Sequence, residues 1–291
     1  MASRRTTVSH GPGDKPGSLV PVQRPVSREP TIRRRYNKQS MNGPETSASS
    51  QLVAPAPPGL ARDRLIVALD FPTGPGALAF VDRLDGACQW FKVGLELFLA
   101  AGGSVVENLR NRGYSVFLDL KFHDIPNTVA AAVRSVAPLG PQLLTVHASG
   151  GPAVLAAAAE AAAALANPPQ LLAVTVLTSM DRFQLASTGV PESPADQALL
   201  LATMADASGI HGFVCSPEES PRLRATLPQA LLVTPGIRPA GSTRGDQSRI
   251  ATPSAALAAG ADYLVVGRPI TQAANPVEAA RAILEEMSDR T

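Results

Sequence analysis

The chain has 291 residues, 45% of them hydrophobic, and a formal net charge of +2, so its length allows one large core or two ordinary domains. Its two cysteines, Cys88 and Cys215, exclude a disulfide framework or a cysteine-rich zinc cluster and favour a reducing, cytoplasmic setting. The sequence contains no apolar run of about 18 residues and therefore predicts no membrane span, and its first residues lack the apolar segment of a secretory signal.

Residues 1–61 form a leader rich in Pro, Ser and Arg, with nine Lys or Arg against three acidic residues in its first 60 positions. The leader has no apolar period, and we expect it to be disordered because it buries too little surface to offset its ordering entropy. Initiation at Met41 would remove most of it. A nucleic-acid patch at Arg33–Arg35 is a weaker interpretation, because only Tyr36 adds an aromatic side chain.

From residue 62 to 291, short β-branched runs alternate with longer Ala- and Leu-rich segments, a pattern typical of βα units around a parallel sheet. Helices are clearest at Pro152–Leu165 and Pro276–Met287. Eight such units in about 230 residues predict a (β/α)8 TIM barrel. An open doubly wound sheet is the alternative, but no G-x-G-x-x-G follows the first strand. The predicted strands are Leu65–Asp70, Trp90–Gly94, Val116–Lys121, Leu143–His147, Leu171–Leu177, Gly212–Cys215, Leu231–Thr234 and Tyr263–Gly267.

Polar residues stand where each predicted strand stops. In a TIM barrel these strand ends meet at one mouth, which is where barrel enzymes place their active sites. Any one of them alone would be an ordinary loop or surface residue, but eight in register predict a site. They are Asp70, Lys92, Asp119 with Lys121, His147, Thr178 with Ser179, Ser216, Gly236 to Arg238, and Gly267 with Arg268.

The densest polar cluster runs from Asp119 to Thr128. Side chains alternate along a strand, so we expect Asp119 and Lys121 to point into the same cavity. With Lys92 on the preceding strand they would form a row of alternating charges. A charged acid held beside an anion suits the delivery of a proton to a developing carbanion.

Eight segments resemble the bacterial orotidine 5'-phosphate decarboxylase family, and the resemblance spans Arg64 to about Glu285. It is specific because unrelated loops agree in order. The segments are Val67-Ala68-Leu69-Asp70, Phe91-Lys92-Val93-Gly94, Asp119 to Thr128, Val146 to Gly151, Val176 to Met180, Thr234 to Pro239, Gly245-Asp246-Gln247 and Val266-Gly267-Arg268-Pro269.

The resemblance implies decarboxylation of orotidine 5'-monophosphate to uridine 5'-monophosphate in pyrimidine biosynthesis. It implies that Lys121 donates the proton to C6 of the pyrimidine and that Asp119 lies against the substrate carboxylate. Lys92 and Asp70 would hold the ribose hydroxyls, with Lys92 also fixing Asp119, and Thr178 would bind the pyrimidine edge.

The resemblance further implies a homodimer with shared active sites. Asp124, Ile125 and Thr128 would reach into the site of the neighbouring subunit. Gln247 would bridge the base and the phosphate.

The predicted phosphate site combines two glycines with two arginines. Gly236 and Gly267 would let the backbone approach an anion, while Arg238 and Arg268 add positive charge after the seventh and eighth strands, the usual phosphate position in barrels. The segment Ala240–Asp246 is interpreted as a mobile lid over that phosphate.

We expect no metal, because two lysines already supply positive charge to the cluster, and the resemblance implies that no cofactor is needed. His123 and His147 are interpreted as hydrogen-bonded histidines at the barrel mouth without a catalytic role. The alternative function is a magnesium-dependent sugar-phosphate decarboxylase of the gulonate-phosphate type, which shares the Asp-x-Lys-x-x-Asp pattern. Thr178-Ser179 and Gly245-Asp246-Gln247 favour the pyrimidine nucleotide.

Overall fold

The computed structural model describes residues 61–239 and 249–288. The chain divides into two units, Met1–Ser50 and Gln51–Thr291, and every described residue belongs to the second. Three predicted features therefore lie outside the described residues: the leader up to residue 60, the Ala240–Asp246 lid, and Gln247.

Eight parallel strands close into a barrel in chain order, and β1 pairs with both β2 and β8. This confirms the predicted TIM barrel, and the open-sheet alternative is wrong because the first and last strands are hydrogen-bonded neighbours. The strands are β1 Leu65–Ala68, β2 Trp90–Gly94, β3 Ser115–Phe122, β4 Leu143–His147, β5 Gln170–Val174, β6 Gly212–Val214, β7 Leu231–Thr234 and β8 Tyr263–Val266.

The helices of the described residues lie outside the barrel, between its strands. None of them is long and apolar enough to cross a membrane. Short 3-10 helices occur at Ala61–Asp63, Ala137–Leu139 and Ala148–Gly150. The α-helices are α1 Gly74–Arg83, α2 Leu95–Ala101, α3 Ser104–Asn111, α4 Pro126–Val136, α5 Pro152–Ala163, α6 Arg182–Ser187, α7 Pro194–Ala207, α8 Ser220–Thr226, α9 Pro253–Ala258, α10 Arg268–Thr271 and α11 Pro276–Ser288.

Local sequence explains where several helices begin. Thr73, Ser193 and Thr252 each accept a backbone N–H of the first turn through the side chain, and proline occupies one of the first two helical positions that follow. Proline is tolerated there because its missing N–H would have had no intrahelical partner. Asp181 and Gln184 form a full capping box at the start of α6.

The barrel interior is filled at one end and open at the other. Its amino-terminal half holds a closely packed cluster that includes Ile66, Phe117 and Leu172. Trp90 and Tyr263 meet edge to face in this half, with ring centroids 5.2 Å apart. Inward-facing positions recur every second residue along a strand. The next inward-facing residues, nearer the carboxyl ends of the strands, are therefore available to line a cavity.

Four strands end earlier than predicted; β6 and β8 stop one residue early, at Val214 and Val266, and β1 and β5 stop earlier still. β1 stops at Ala68 rather than Asp70, and β5 stops at Val174 rather than Leu177. Single backbone bonds continue the pairing just beyond them, from Leu69 N to Lys92 O and from Thr175 N to Val214 O. Regular pairing ends there, and the polar residues that follow, Asp70 and Thr178, line the cavity at the barrel mouth.

Candidate active site

A cavity of about 460 Å³ opens at the carboxyl ends of the strands. Seven of the eight strand ends contribute to its wall. The polar and strand-end residues that line it include Asp70, Lys92, Asp119, Lys121, Val174, Thr178, Val214, Gly236, Arg238, Gly267 and Arg268. The cavity thus gathers most of the residues predicted for the site, while Thr271 and Gln272 of the last βα connection also line it and were not predicted.

One wall of the cavity carries alternating charges. Lys121 Nζ lies 2.8 Å from Asp119 Oδ1, and Lys92 Nζ lies 3.7 Å from Asp119 Oδ2 and 3.2 Å from Asp70 Oδ1. The Asp119 side chain is only 12% exposed. Each carboxylate is next to an ammonium group, so the row is held by mutual attraction in a partly desolvated setting where that attraction is strong.

Lys121 reaches this row through an irregular backbone. Its φ is +50°, in the left-handed region that non-glycine residues rarely adopt. The pairing of β3 with β4 shifts register between Leu118 and Phe122, so β3 bulges where Asp119 and Lys121 lie. Simple strand alternation predicted that the two side chains face the same cavity, but it did not predict this bulge.

Thr145 on β4 contacts both residues of the bulge and was not among the predicted site residues. Its hydroxyl lies 2.8 Å from the backbone N of Lys121 and 3.1 Å from Asp119 Oδ1. The signal that could have found it is alternation, because Thr145 stands two residues before His147 on the inward-facing side of β4.

Two arginines, from the connections that follow β7 and β8, also line the cavity. Arg238 is 8% exposed, and burial, together with the positive charge of Arg268, lowers its pKa. Concentrated positive charge of this kind favours an anion. Gly236 has φ +84° and so requires glycine, whereas Gly267 has φ −108° and needs no glycine for its conformation.

Asp124, Ile125 and Thr128 do not line the cavity of their own chain. All three are exposed, Ile125 by 66%, and they lie on shallow pockets beside His123. Lys121 lines one of these pockets together with Asp124 and Thr128. Within one chain, the predicted group therefore lies outside the cavity that holds the alternating charges, although two of its members lie beside Lys121.

His123 and His147 stack on each other with ring centroids 5.1 Å apart, and neither lines the cavity. Ser149 donates to Nδ1 of His147 from its backbone N–H at 3.4 Å, and the Ser149 hydroxyl lies 2.6 Å from the same nitrogen. Burial, followed by the positive charges of His123 and Lys121, lowers the pKa of His147 to about 4.

Fold and cavity together define a class, a TIM-barrel enzyme whose active site suits a small anionic molecule. The family model described as "Orotidine 5'-phosphate decarboxylase / HUMPS family" matches residues 63–283. The chain belongs to this family.

Individual relatives agree with the family assignment. The chain is 53% identical over 224 residues to proteins named orotidine 5'-phosphate decarboxylase from Pseudomonas aeruginosa and Pseudomonas putida, covering 77% of this chain and 97% and 96% of theirs. A crystal structure of orotidine 5'-phosphate decarboxylase from Lactobacillus acidophilus is similar with a TM-score of 0.69 and 41% identity. That match covers 77% of this chain and 98% of the other.

Proposed function

We propose that this chain decarboxylates orotidine 5'-monophosphate to uridine 5'-monophosphate and CO2, a step of pyrimidine biosynthesis. The observation that carries the proposal is the contact between Lys121 Nζ and Asp119 Oδ1 at 2.8 Å, inside a cavity that Arg238 and Arg268 also line. Relatives at 53% identity that are named for this activity support it and do not favour the gulonate-phosphate alternative.

The proposed chemistry needs one proton donor. When the bond between C6 and the carboxylate breaks, CO2 leaves and the electron pair stays on C6, where the ring delocalises it poorly. The Lys121 ammonium stabilises that developing charge and transfers a proton to C6, and the resulting amine regains a proton from solvent. Asp119 keeps the ammonium aimed at the reacting carbon.

The remaining cavity residues orient the nucleotide. Lys92 and Asp70, which are paired at 3.2 Å, hold the ribose hydroxyls, and Thr178 binds the pyrimidine edge. Arg238 and Arg268 receive the phosphate, with Gln247 between phosphate and base. Binding energy at the distant phosphate is used to orient C6 against Lys121.

Turnover of orotidine 5'-monophosphate, followed by ultraviolet absorbance with and without EDTA, tests the activity. We expect turnover that resists EDTA, and we expect Lys121→Ala to lower kcat by about 10³-fold or more, at the upper end of the effect of a positioned acid. Arg112→Met is the matched control, because it removes a surface cation paired with Asp82 at 2.8 Å. Absence of turnover by folded wild-type protein would refute the function, and loss of turnover in EDTA would favour the magnesium-dependent alternative.

The proposal includes a homodimer in which each cavity is completed by its neighbour. The exposure of Asp124, Ile125 and Thr128 outside their own cavity supports it, since an exposed isoleucine beside polar residues suits burial in a symmetric contact.

Mixing two inactive variants tests the shared site. Lys121→Ala and Asp124→Ala proteins, mixed in equal amounts and allowed to exchange subunits, should regain about a quarter of wild-type activity, because half of the dimers then contain one intact site of two. Mixing Lys121→Ala with Asp119→Ala should restore none, since both changes affect the same subunit's part of the site. Equal results from the two mixtures would refute sharing.

A further inference from the structure

We propose that Thr145 is a positioning residue for decarboxylation: its one hydroxyl holds both the backbone of Lys121 and the carboxylate of Asp119. The inference rests on the proposed function, because it assigns Thr145 a role in placing the proton donor of that reaction. Thr145 itself does not line the cavity, so it would act only through these two neighbours.

The bulge in β3 creates the need for such a residue. Leu118 of β3 pairs with Leu144 of β4, and Phe122 of β3 pairs with Val146 of β4. An advance of four residues along β3 therefore lies opposite an advance of only two residues along β4. Regular strand pairing cannot serve every backbone group in that interval. Lys121 N–H finds its acceptor in the side chain of Thr145 at 2.8 Å instead, at the residue whose φ is +50°.

The hydrogen-bond directions at Thr145 are determined by its partners. The backbone N–H of Lys121 can only donate, so Oγ1 accepts from it. An ionised carboxylate can only accept, so the hydroxyl hydrogen points to Asp119 Oδ1 at 3.1 Å. The Thr145 hydroxyl thus links the left-handed backbone of Lys121 to the Asp119 carboxylate, and that carboxylate orients the Lys121 ammonium group.

Asp119 Oδ1 consequently receives two donors, Thr145 Oγ1 and Lys121 Nζ, while Oδ2 faces Lys92 at 3.7 Å. These contacts fix the rotation of the carboxylate. Without the hydroxyl, Asp119 keeps its charge partners but loses the neutral donor that sets its plane, and a buried N–H of Lys121 loses its acceptor. Both changes let Lys121 Nζ move away from the reacting carbon.

Thr145→Val tests the inference because valine keeps the shape of the side chain and removes only the hydroxyl. We expect kcat for orotidine 5'-monophosphate to fall by about 10- to 100-fold, the effect of a small displacement of a reacting group, with KM nearly unchanged. Thr145→Ser retains the hydroxyl and should keep kcat close to wild type.

Thr175→Val is the matched control. Thr175 is as buried as Thr145, at 1% against 0% exposed, but its hydroxyl donates to the backbone carbonyl of Val214 at 2.9 Å and contacts no charged group of the cavity. Thr145→Val loses two hydrogen bonds of its hydroxyl and Thr175→Val loses one, so a merely structural role would lower the thermal midpoint of both variants and leave kcat per folded molecule unchanged.

The outcomes separate the two proposals. The positioning role is supported if the wild-type protein turns over the substrate, kcat falls in Thr145→Val but not in Thr175→Val, and Thr145→Ser keeps kcat close to wild type. Wild-type turnover with equal kcat in the two valine variants overturns it and leaves the proposed function intact. If Thr145→Val does not fold, a Thr145→Ser variant with a 10-fold or greater loss of kcat, at the lower limit expected for a misplaced group, would overturn it instead.

Discussion

His147 ends β4 with its ring against His123 and with Lys121 nearby, and its pKa is lowered from 6.5 to about 4. Burial is the main cause, and the two neighbouring positive charges add to it. The ring is therefore neutral near pH 7, with Nδ1 available to accept from Ser149. A neutral ring of this kind serves the structure of the barrel mouth, and no contact connects it to the Asp119 carboxylate.

The lowered pKa predicts an acid-sensitive fold. Between pH 6.5 and about 4 the unfolded chain binds a proton at His147 that the folded chain does not, so His147 costs the fold stability as pH falls through this window and costs none above it. We expect His147→Gln to reduce the drop in thermal midpoint between pH 7 and pH 4.5. His211→Gln, at a partly exposed histidine paired with Asp206, retains His147 and should show the wild-type drop. Identical curves for wild type and His147→Gln would contradict the prediction.

At the scale of elements, a buried ion pair joins three connections at the barrel mouth. Arg249 Nη1 donates to Glu219 Oε1, and both side chains are less than 10% exposed. Arg249 also donates from Nη2 to the carbonyl of Leu177 at 2.9 Å, next to Thr178, while Glu219 accepts from the backbone N of Ser216 at 2.8 Å. The pair therefore fixes the loops that follow β5, β6 and β7.

Removing one partner should be costly. Burial raises the pKa of Glu219, and Arg249 opposes that rise. Arg249→Met therefore leaves the buried Glu219 carboxyl group without its ion-pair partner. We expect it to lower the free energy of unfolding by about 3 kcal/mol, as for a broken buried pair. Chemical denaturation measures this loss.

The exposed pair of Arg222 and Asp196 is the control for that measurement, and Arg222→Met should cost much less than Arg249→Met because solvent screens an exposed pair. Adding Glu219→Gln to Arg249→Met should recover part of the loss. An equal cost for the two arginine substitutions would show that the buried pair contributes no more than a surface one.

At the scale of the whole molecule, the family match begins at residue 63, and relatives are covered almost completely by 224 residues of this chain. The basic leader is thus additional to the part shared with those relatives. We expect a protein lacking residues 1–60 to keep the kcat and KM of the full chain, because the described cavity draws on no residue before Ala68.

The same truncation tests the nucleic-acid interpretation of the leader. If the full chain is retained on immobilised RNA at low salt and the truncated chain is not, the nine basic residues bind phosphates in the salt-sensitive way expected of such a segment. A loss of turnover on truncation would instead contradict the prediction that catalysis needs residues 62–291 alone.

Local patterns in the amino-acid sequence are enough to predict the barrel and most of the cavity wall. Strand periodicity, helix-starting prolines and polar residues at strand ends are local patterns, and a closed parallel barrel places every strand end at one mouth. Asp70, Lys92, Asp119, Lys121, Arg238 and Arg268 could therefore be assigned to one site before any coordinates were known. The resemblance to known decarboxylases then supplied their roles.

The contacts that hold those groups in place are visible only in the folded barrel. The bulge in β3 and the left-handed Lys121 depend on pairing with β4, which lies more than 20 residues along the chain. The Thr145 hydroxyl and the Glu219–Arg249 pair join residues 26 and 30 positions apart. Contacts of this kind form because the closed barrel brings distant positions together, and no local period in the sequence encodes them.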